Sequence, residues 1–380
     1  MVTVNRPRRR SAIENDRRIV RAAVWCIDRH GVDGITTVGV AAAAGLSTGA
    51  LYARYEHQHD LLVDVWQRES LEAVQELVDA SVAVSRSKGA PAALAALREQ
   101  LAAPSNALRI GVQLMAVTRR IDELSDVVPG DLGAMLGDLG PDDLGVVAFA
   151  LGAVLLDGVR GAAGTEWTPM IQWCGAPTTA AVAPWPPAPP LRAVAVDDPD
   201  DAVLDALLRA TQRVIARSGV ERATLHRIGR AARLTPTVVY NRFDSREALI
   251  VDLVGRILRS TATTELRTMV HSSPEMLALH LDTLLSAQGQ PRRRLLLEVL
   301  LAAMSDDGLA AVVGEVEGSS LDAAARLLSD RYHADTARDV LSFGAALAFG
   351  ASVLVELGNE LAVDDWRPFL DRTLGAAASH

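Results

Sequence analysis

Two short clusters combine side chains that can do chemistry at a repeated spacing: Tyr52-Ala53-Arg54-Tyr55 and, 188 residues later, Tyr240-Asn241-Arg242-Phe243. A phenol, a guanidinium and a carboxamide are hydrogen-bonding groups, suited to recognising phosphate oxygens and base edges. Signatures of bond-making chemistry are missing. The chain has no Gly-rich phosphate loop after a strand, no His-Glu-x-x-His and no nucleophile elbow. Its two cysteines, Cys26 and Cys174, each stand beside a tryptophan and far from any paired His/Cys spacing. A disulfide framework or zinc site is therefore not expected, and the compartment expected is the cytoplasm. No catalytic residue, metal or cofactor is predicted.

The clusters belong to a longer internal repeat. Sliding the chain by 188 residues aligns positions 17–64 with 205–252 without a gap, pairing Arg21 with Arg209, Gly31 with Gly219, Thr36 with Thr224 and Leu46 with Leu234. Leu124-Ser125-Asp126-Val127-Val128 lines up with Leu309-Ala310-Ala311-Val312-Val313 at a slightly different offset, and Glu166-Trp167-Thr168-Pro169 resembles Asp365-Trp366-Arg367-Pro368. Between the copies, residues 176–199 hold seven prolines, the composition of a stiff extended linker.

Helices must position the clusters. Ile19, Ala23 and Ile27, like Leu207, Thr211 and Ile215, recur at helical spacing. Gly31 and Gly219 fall where those helices should end in a left-handed cap. Thr36 and Thr224 are placed to N-cap a second helix, and Ser47 and Thr235 a third, with small alanines before the turn between them. Hydrophobic residues are 49% of the 380 and aromatics 4%, with long Ala/Leu-rich stretches, so the expected fold class is all-α. The longest uncharged apolar runs, 144–156 and 343–355, fall short of the ~20 residues of a membrane span and read as buried helices. Net charge is −9, yet residues 1–64 and 200–252 each carry nine arginines against seven acids, +2 apiece, which leaves −13 for the rest. Mildly basic heads on an acidic body would direct DNA contact to the heads.

The run Gly31-Val32 … Thr36 … Val40-Ala41 … Ala44-Gly45-Leu46-Ser47-Thr48-Gly49-Ala50-Leu51-Tyr52-Ala53-Arg54-Tyr55 … Leu61 resembles the N-terminal helix-turn-helix of TetR-type regulators. The run from Gly219 through Thr224, Ile228, Leu234, Tyr240 and Phe243 to Leu249 resembles it more loosely, with Arg233 in place of the turn glycine and Pro236 at the first turn of the third helix. The resemblance implies that Thr36, Tyr52, Thr224 and Tyr240 bond phosphates. Thr48, Gly49 and Ala53, with Pro236, Thr237 and Asn241, would face the groove, beside the capping Ser47 and Thr235; Asn241 could read adenine. Arg54 and Arg242 are either phosphate clamps or salt-bridge partners. Arg246 joins the expected contacts, at the place where the family usually has lysine, and Arg6–Arg10 are either an arm along DNA or a solubilising tail.

The expected organisation is a first head at 1–66, a first ligand and dimerisation bundle at 67–175, the linker at 176–199, a second head at 200–254 and a second bundle at 255–380. Family members place two heads on a palindrome as dimers. Here both heads lie on one chain, which implies an intramolecular pseudo-dimer, with a homodimer still open, on an imperfect palindrome of double-stranded DNA. A 24-residue linker extended at ~3.1 Å per residue reaches about 70 Å, beyond the ~34–36 Å between heads one helical turn apart. The resemblance also implies a small-molecule effector and, most often, repression. Candidate pocket residues are Met115, Phe149 and Asp157, the last with Arg160 as its expected partner, and His280, Met304 and Phe343; core filling competes as the reading for the Met and Phe side chains. The alternative organisation uses only the first head on DNA and the second unit for partner contact.

Overall fold

The computed structural model describes residues 6–88, 97, 101, 103–160, 201–270, 281, 283–327 and 334–358. The expected linker, the Trp-x-Pro segments and His280 lie outside the described residues. All regular structure among those described is helical.

Helices α1 (Arg6–His30), α2 (Thr37–Ala44) and α3 (Thr48–Tyr52) make the first head. Arg6–Arg10, expected as an arm or tail, form the first turns of α1. Helix α4 (Gln58–Val65) leads through a wide π-turn, Trp66–Ser70, into α5 (Leu71–Lys88). Trp66 is fully buried there, and its indole N–H donates to Asp131 at 2.8 Å, satisfying the one polar atom of a large apolar side chain. The first body continues with α6 (Asn106–Val117), α7 (Asp122–Ser125), α8 (Val128–Leu136) and α9 (Pro141–Arg160).

A second head follows: α10 (Ala202–Ser218), α11 (Leu225–Ala232) and α12 (Pro236–Tyr240). Its body is α13 (Arg246–Val270), α14 (Gln290–Ala303), α15 (Asp307–Leu327) and α16 (Ala334–Glu356). Helix α13 runs unbroken where the first body has α4, the π-turn and α5. Helix α15 runs unbroken where α7 and α8 are separated before Pro129.

The most intimate helix contact is α9 against α16. A Cβ on Gly152 would sit 1.7 Å from the Ala346 carbonyl oxygen, and one on Gly350 would sit 1.7 Å from that of Ala148. The two backbones touch through reciprocal Ala-x-x-x-Gly steps, which permit close packing of helix on helix. Phe149 and Phe343 stack across the same crossing, with centroids 4.8 Å apart. The sequence around it is itself repeated, Ala148–Leu156 against Ala346–Leu354 at an offset of 198, a correspondence that the 188-residue register hides.

Beside the crossing lies a buried ionic cluster. Glu298 on α14 is 1% exposed and meets two guanidiniums of the first body: Nη2 of Arg119 at 2.5 Å and Nε of Arg120 at 3.0 Å. Arg120 also donates in bidentate fashion to Asp33 of the first head, at 2.6 and 2.7 Å. Glu356, at the end of α16, accepts from Nε of Arg293 at 2.9 Å and Nε of Arg294 at 2.7 Å, with Nε of Arg119 3.9 Å away. Gly219, at the end of α10, closes over the cluster: a Cβ there would lie 3.0 Å from Glu298 and 3.2 Å from Asp33.

Two substitutions probe these contacts. Gly152→Ala pushes a methyl into a carbonyl that no rotamer change can relieve, so it should cost at least about 2–3 kcal/mol in chemical denaturation. Arg120→Met strands Glu298 and Asp33 and should cost about 3–5 kcal/mol by the same measurement.

Candidate nucleic-acid interface

Each head builds its surface from caps and a tight turn. In the first, the Thr36 hydroxyl accepts from the Gly39 N–H at 3.0 Å and Ser47 accepts from Ala50 at 3.3 Å. In the second, Thr224 accepts from Arg227 at 3.2 Å. Thr235 breaks the pattern, since its side chain makes no cap bond and its backbone carbonyl takes the Val238 N–H instead, at 3.1 Å. Both turns place a residue in the left-handed region, Gly45 at φ 63° and Arg233 at φ 59°. Glycine reaches that region without strain, whereas arginine pays for its Cβ. Gly31 ends α1 at φ 71°. Gly219 also has positive φ, 81°, but with ψ 167°, so it ends α10 by an extended turn and not by the expected left-handed cap.

The third helices are short and anchored by one buried residue each, Leu51 and Val239, so most of their side chains remain outside the core. Tyr52 and Tyr240 are 62% and 59% exposed, unusual for large rings and suited to a partner surface. Thr36, Ser47, Thr48, Gly49 and Ala53 are exposed, as are Thr224, Thr235, Pro236, Thr237 and Asn241. Each head therefore presents a cap hydroxyl, a tyrosine and a small-residue helix start, a set of donors with space around them.

The three arginines expected at this surface have intramolecular partners. Arg54 pairs with Asp16 and Arg242 with Asp201, tying the end of each third helix to the middle of α1 and to the N-cap of α10 respectively. Asp201 also accepts from the N–H groups of Val203 and Leu204, and the Arg242 hydrogen bond, followed by these backbone ones, holds its carboxyl below the usual range. Arg246 turns inward and donates to the carbonyls of Val220, at 2.8 Å, and Glu221, at 3.1 Å. Gln58, at the matching position, donates to the Ile35 carbonyl in the first head. Position 58/246 thus pins the loop before the second helix, a duty that the charge of Arg246 conceals in the sequence.

Residues 207–253 match the family of bacterial regulatory proteins, tetR family. The match falls on the second head. The chain that carries it is a DNA-binding transcription regulator. The matched segment runs from α10 into α13 and contains the turn at Arg233, so the looser of the two resemblances is the one that the family model covers. No curated protein matches the chain.

The candidate effector residues fall elsewhere. Met115, Phe149 and Phe343 are buried in the core, the two phenylalanines against each other. Asp157 faces Arg109 at 3.7 Å, the side chain of the expected partner Arg160 lying outside those described, and burial pushes its carboxyl up while Arg109 pulls it back. Met304 packs where a Cβ on Gly158 would lie, 3.0 Å from its terminal methyl. Among the described residues, no group of three His, Cys, Asp or Glu could hold a metal ion, and no helix is long and apolar enough to cross a membrane.

The second head has a local weak point at Arg233. Arg233→Gly relieves the left-handed arginine and should stabilise the chain by about 1 kcal/mol, read as a higher denaturation midpoint, while Gly45→Arg should do the reverse.

Proposed function

We propose that this chain is a sequence-specific repressor formed by tandem duplication, whose two tetR-like units fold back as an intramolecular pseudo-dimer and place both heads on one imperfectly palindromic site. One observation carries the reading: two cap-and-turn heads with matching hydroxyls and exposed tyrosines stand on bodies that meet at the reciprocal Ala148/Gly152–Ala346/Gly350 crossing. Reciprocity of this kind is what a two-fold interface produces, with residue i meeting j and j meeting i.

The departures from symmetry support pairing within one chain. At the offset of Leu124 to Leu309, Arg119 corresponds to Met304; at the offset of Gly152 to Gly350, Glu356 corresponds to Gly158. One side of the interface thus holds an arginine near a glutamate, and the other a methionine over a glycine. Two first units brought together would set Arg119 against Gly158 twice and leave both charges unpaired, so the match favours unlike halves.

An effector would act beside the Arg109–Asp157 pair and the adjoining Gly158–Met304 contact, because a shift there moves α6, α9 and the end of α14 together. The heads differ at the groove, Thr48-Gly49-Ala53 against Pro236-Thr237-Asn241, so the half-sites should differ too.

The test uses a duplex selected from a random pool by the intact chain. Tyr52→Ala and Tyr240→Ala should each weaken binding by a similar factor, on the order of tenfold for a phosphate hydrogen bond to a charged acceptor. A loss confined to one head would reduce the protein to a single reading unit. At low concentration the particle mass should equal the 40.4 kDa of one chain, and a particle of twice that mass would refute the monomeric version.

A further inference from the structure

The outer face of the second helix is built differently in the two heads. In the first it is Gly39, Ala42 and Gly45; at the matching positions the second has Arg227, Arg230 and Arg233. All three arginines are exposed, and among the described residues none lies within ion-pair distance of a carboxylate. The Arg227 guanidinium donates to the Arg222 carbonyl, at 3.3 Å. Spaced three residues apart, they form a column rising ~4.5 Å per step along α11 and its turn. An open groove of about 540 Å³ joins Arg233 to Arg209 and Arg213 on α10. The single acid beside it, Asp205, is paired with Arg209. Like charges at this spacing repel one another on a helix, and the last of them sits in a backbone conformation that glycine fills without strain in the first head. Among the described residues, no carboxylate compensates these charges.

We propose that this face of the second head is a phosphate-docking surface that the first head lacks, and that it clamps the DNA backbone beside the base-reading helix. The proposal rests on the regulator reading above. The occupant follows from charge and place. The column starts one turn after Thr224 and ends two residues before Thr235, so it is bracketed by the exposed hydroxyls of the DNA-facing surface. Guanidiniums in a row suit a line of phosphates and carry no base preference. The second head then supplies sequence-independent grip, and the first relies on its groove contacts.

The experiment compares the wild-type chain with the triple variant R227Q/R230Q/R233Q by fluorescence anisotropy. The probes are a duplex selected by the wild-type chain and a shuffled duplex of the same composition, each across a salt series. Each lost phosphate contact flattens the slope of log K against log salt by about 0.9, so the triple variant should flatten it by about 2–3. It should also weaken both duplexes by the same factor, leaving their ratio unchanged within about twofold. An unchanged slope overturns the proposal, as does a loss confined to the selected duplex. A thermal melt checks folding, and if the triple variant melts early, each single variant must still flatten the slope by about 1. A wild-type chain that binds neither duplex at low salt brings down the regulator reading and this face together. Binding with a normal slope change but unequal losses from Tyr52→Ala and Tyr240→Ala harms only the two-head reading.

Discussion

The contact of two backbones at Ala148/Gly152 and Ala346/Gly350 is the constraint from which the rest of the arrangement follows. Side chains have no say in the distance between α9 and α16 there, because each missing Cβ is replaced by the opposite carbonyl. A crossing set by backbone atoms has almost no freedom to slide or rotate, since a step in either direction drives an Ala or Leu into the facing helix. The stacked Phe149 and Phe343 fill the volume beside it. With the crossing fixed, the end of α16 lies where Glu356 meets Arg293, Arg294 and Arg119, and α14 lies where Glu298 meets Arg119 and Arg120.

A buried ionic cluster is weak support for stability, since desolvation consumes most of what attraction returns. Its value here lies in direction. Burial pushes the Glu298 carboxyl up, and Arg120 and Arg119 pull it back, so the group is tolerable only while both guanidiniums stay in place. Any displacement of the first body against the second exposes a mismatch that an apolar contact would forgive. The matching site, Met304 over Gly158, is of the forgiving kind. One half of the interface therefore specifies geometry and the other supplies adhesion.

Much of the heads was legible in the sequence, because caps and turns are local. Thr36, Ser47 and Thr224 cap as their positions suggest, and the amphipathic spacing of Ile19, Ala23 and Ile27 puts all three in the core. The tyrosines lie on the outside because Leu51 and Val239, one residue before each, take the inward position. Partners distant in sequence were not legible. Nothing near Arg54 or Arg242 in the chain announces Asp16 or Asp201, and Arg246 reads as a DNA contact until its loop carbonyls are seen. The crossing was hidden for another reason. The offset between the similar segments drifts from 188 through 185 to 198, so a single shift aligns the heads and loses the bodies. Reading Met115, Phe149 and Phe343 by type alone could not separate core from pocket, since both demand apolar side chains.

The path from crossing to heads is short. Asp33 stands three residues beyond the end of α1, and Gly219 directly follows α10; both touch the Arg120–Glu298 pair. Gly31, at the other head's matching turn, abuts Ser305 just past α14. The inner ends of both first helices are thus clamped to the same few atoms, while Asp16 within α1 and Asp201 at the cap of α10 are tied to the third helices through Arg54 and Arg242. A first helix held at two points behaves as a lever: a small rotation at its inner end becomes a translation of the third helix across the stretch of α1 from Asp16 to His30 or the 17 residues of α10. Head spacing is then a property of the interface and not of the heads.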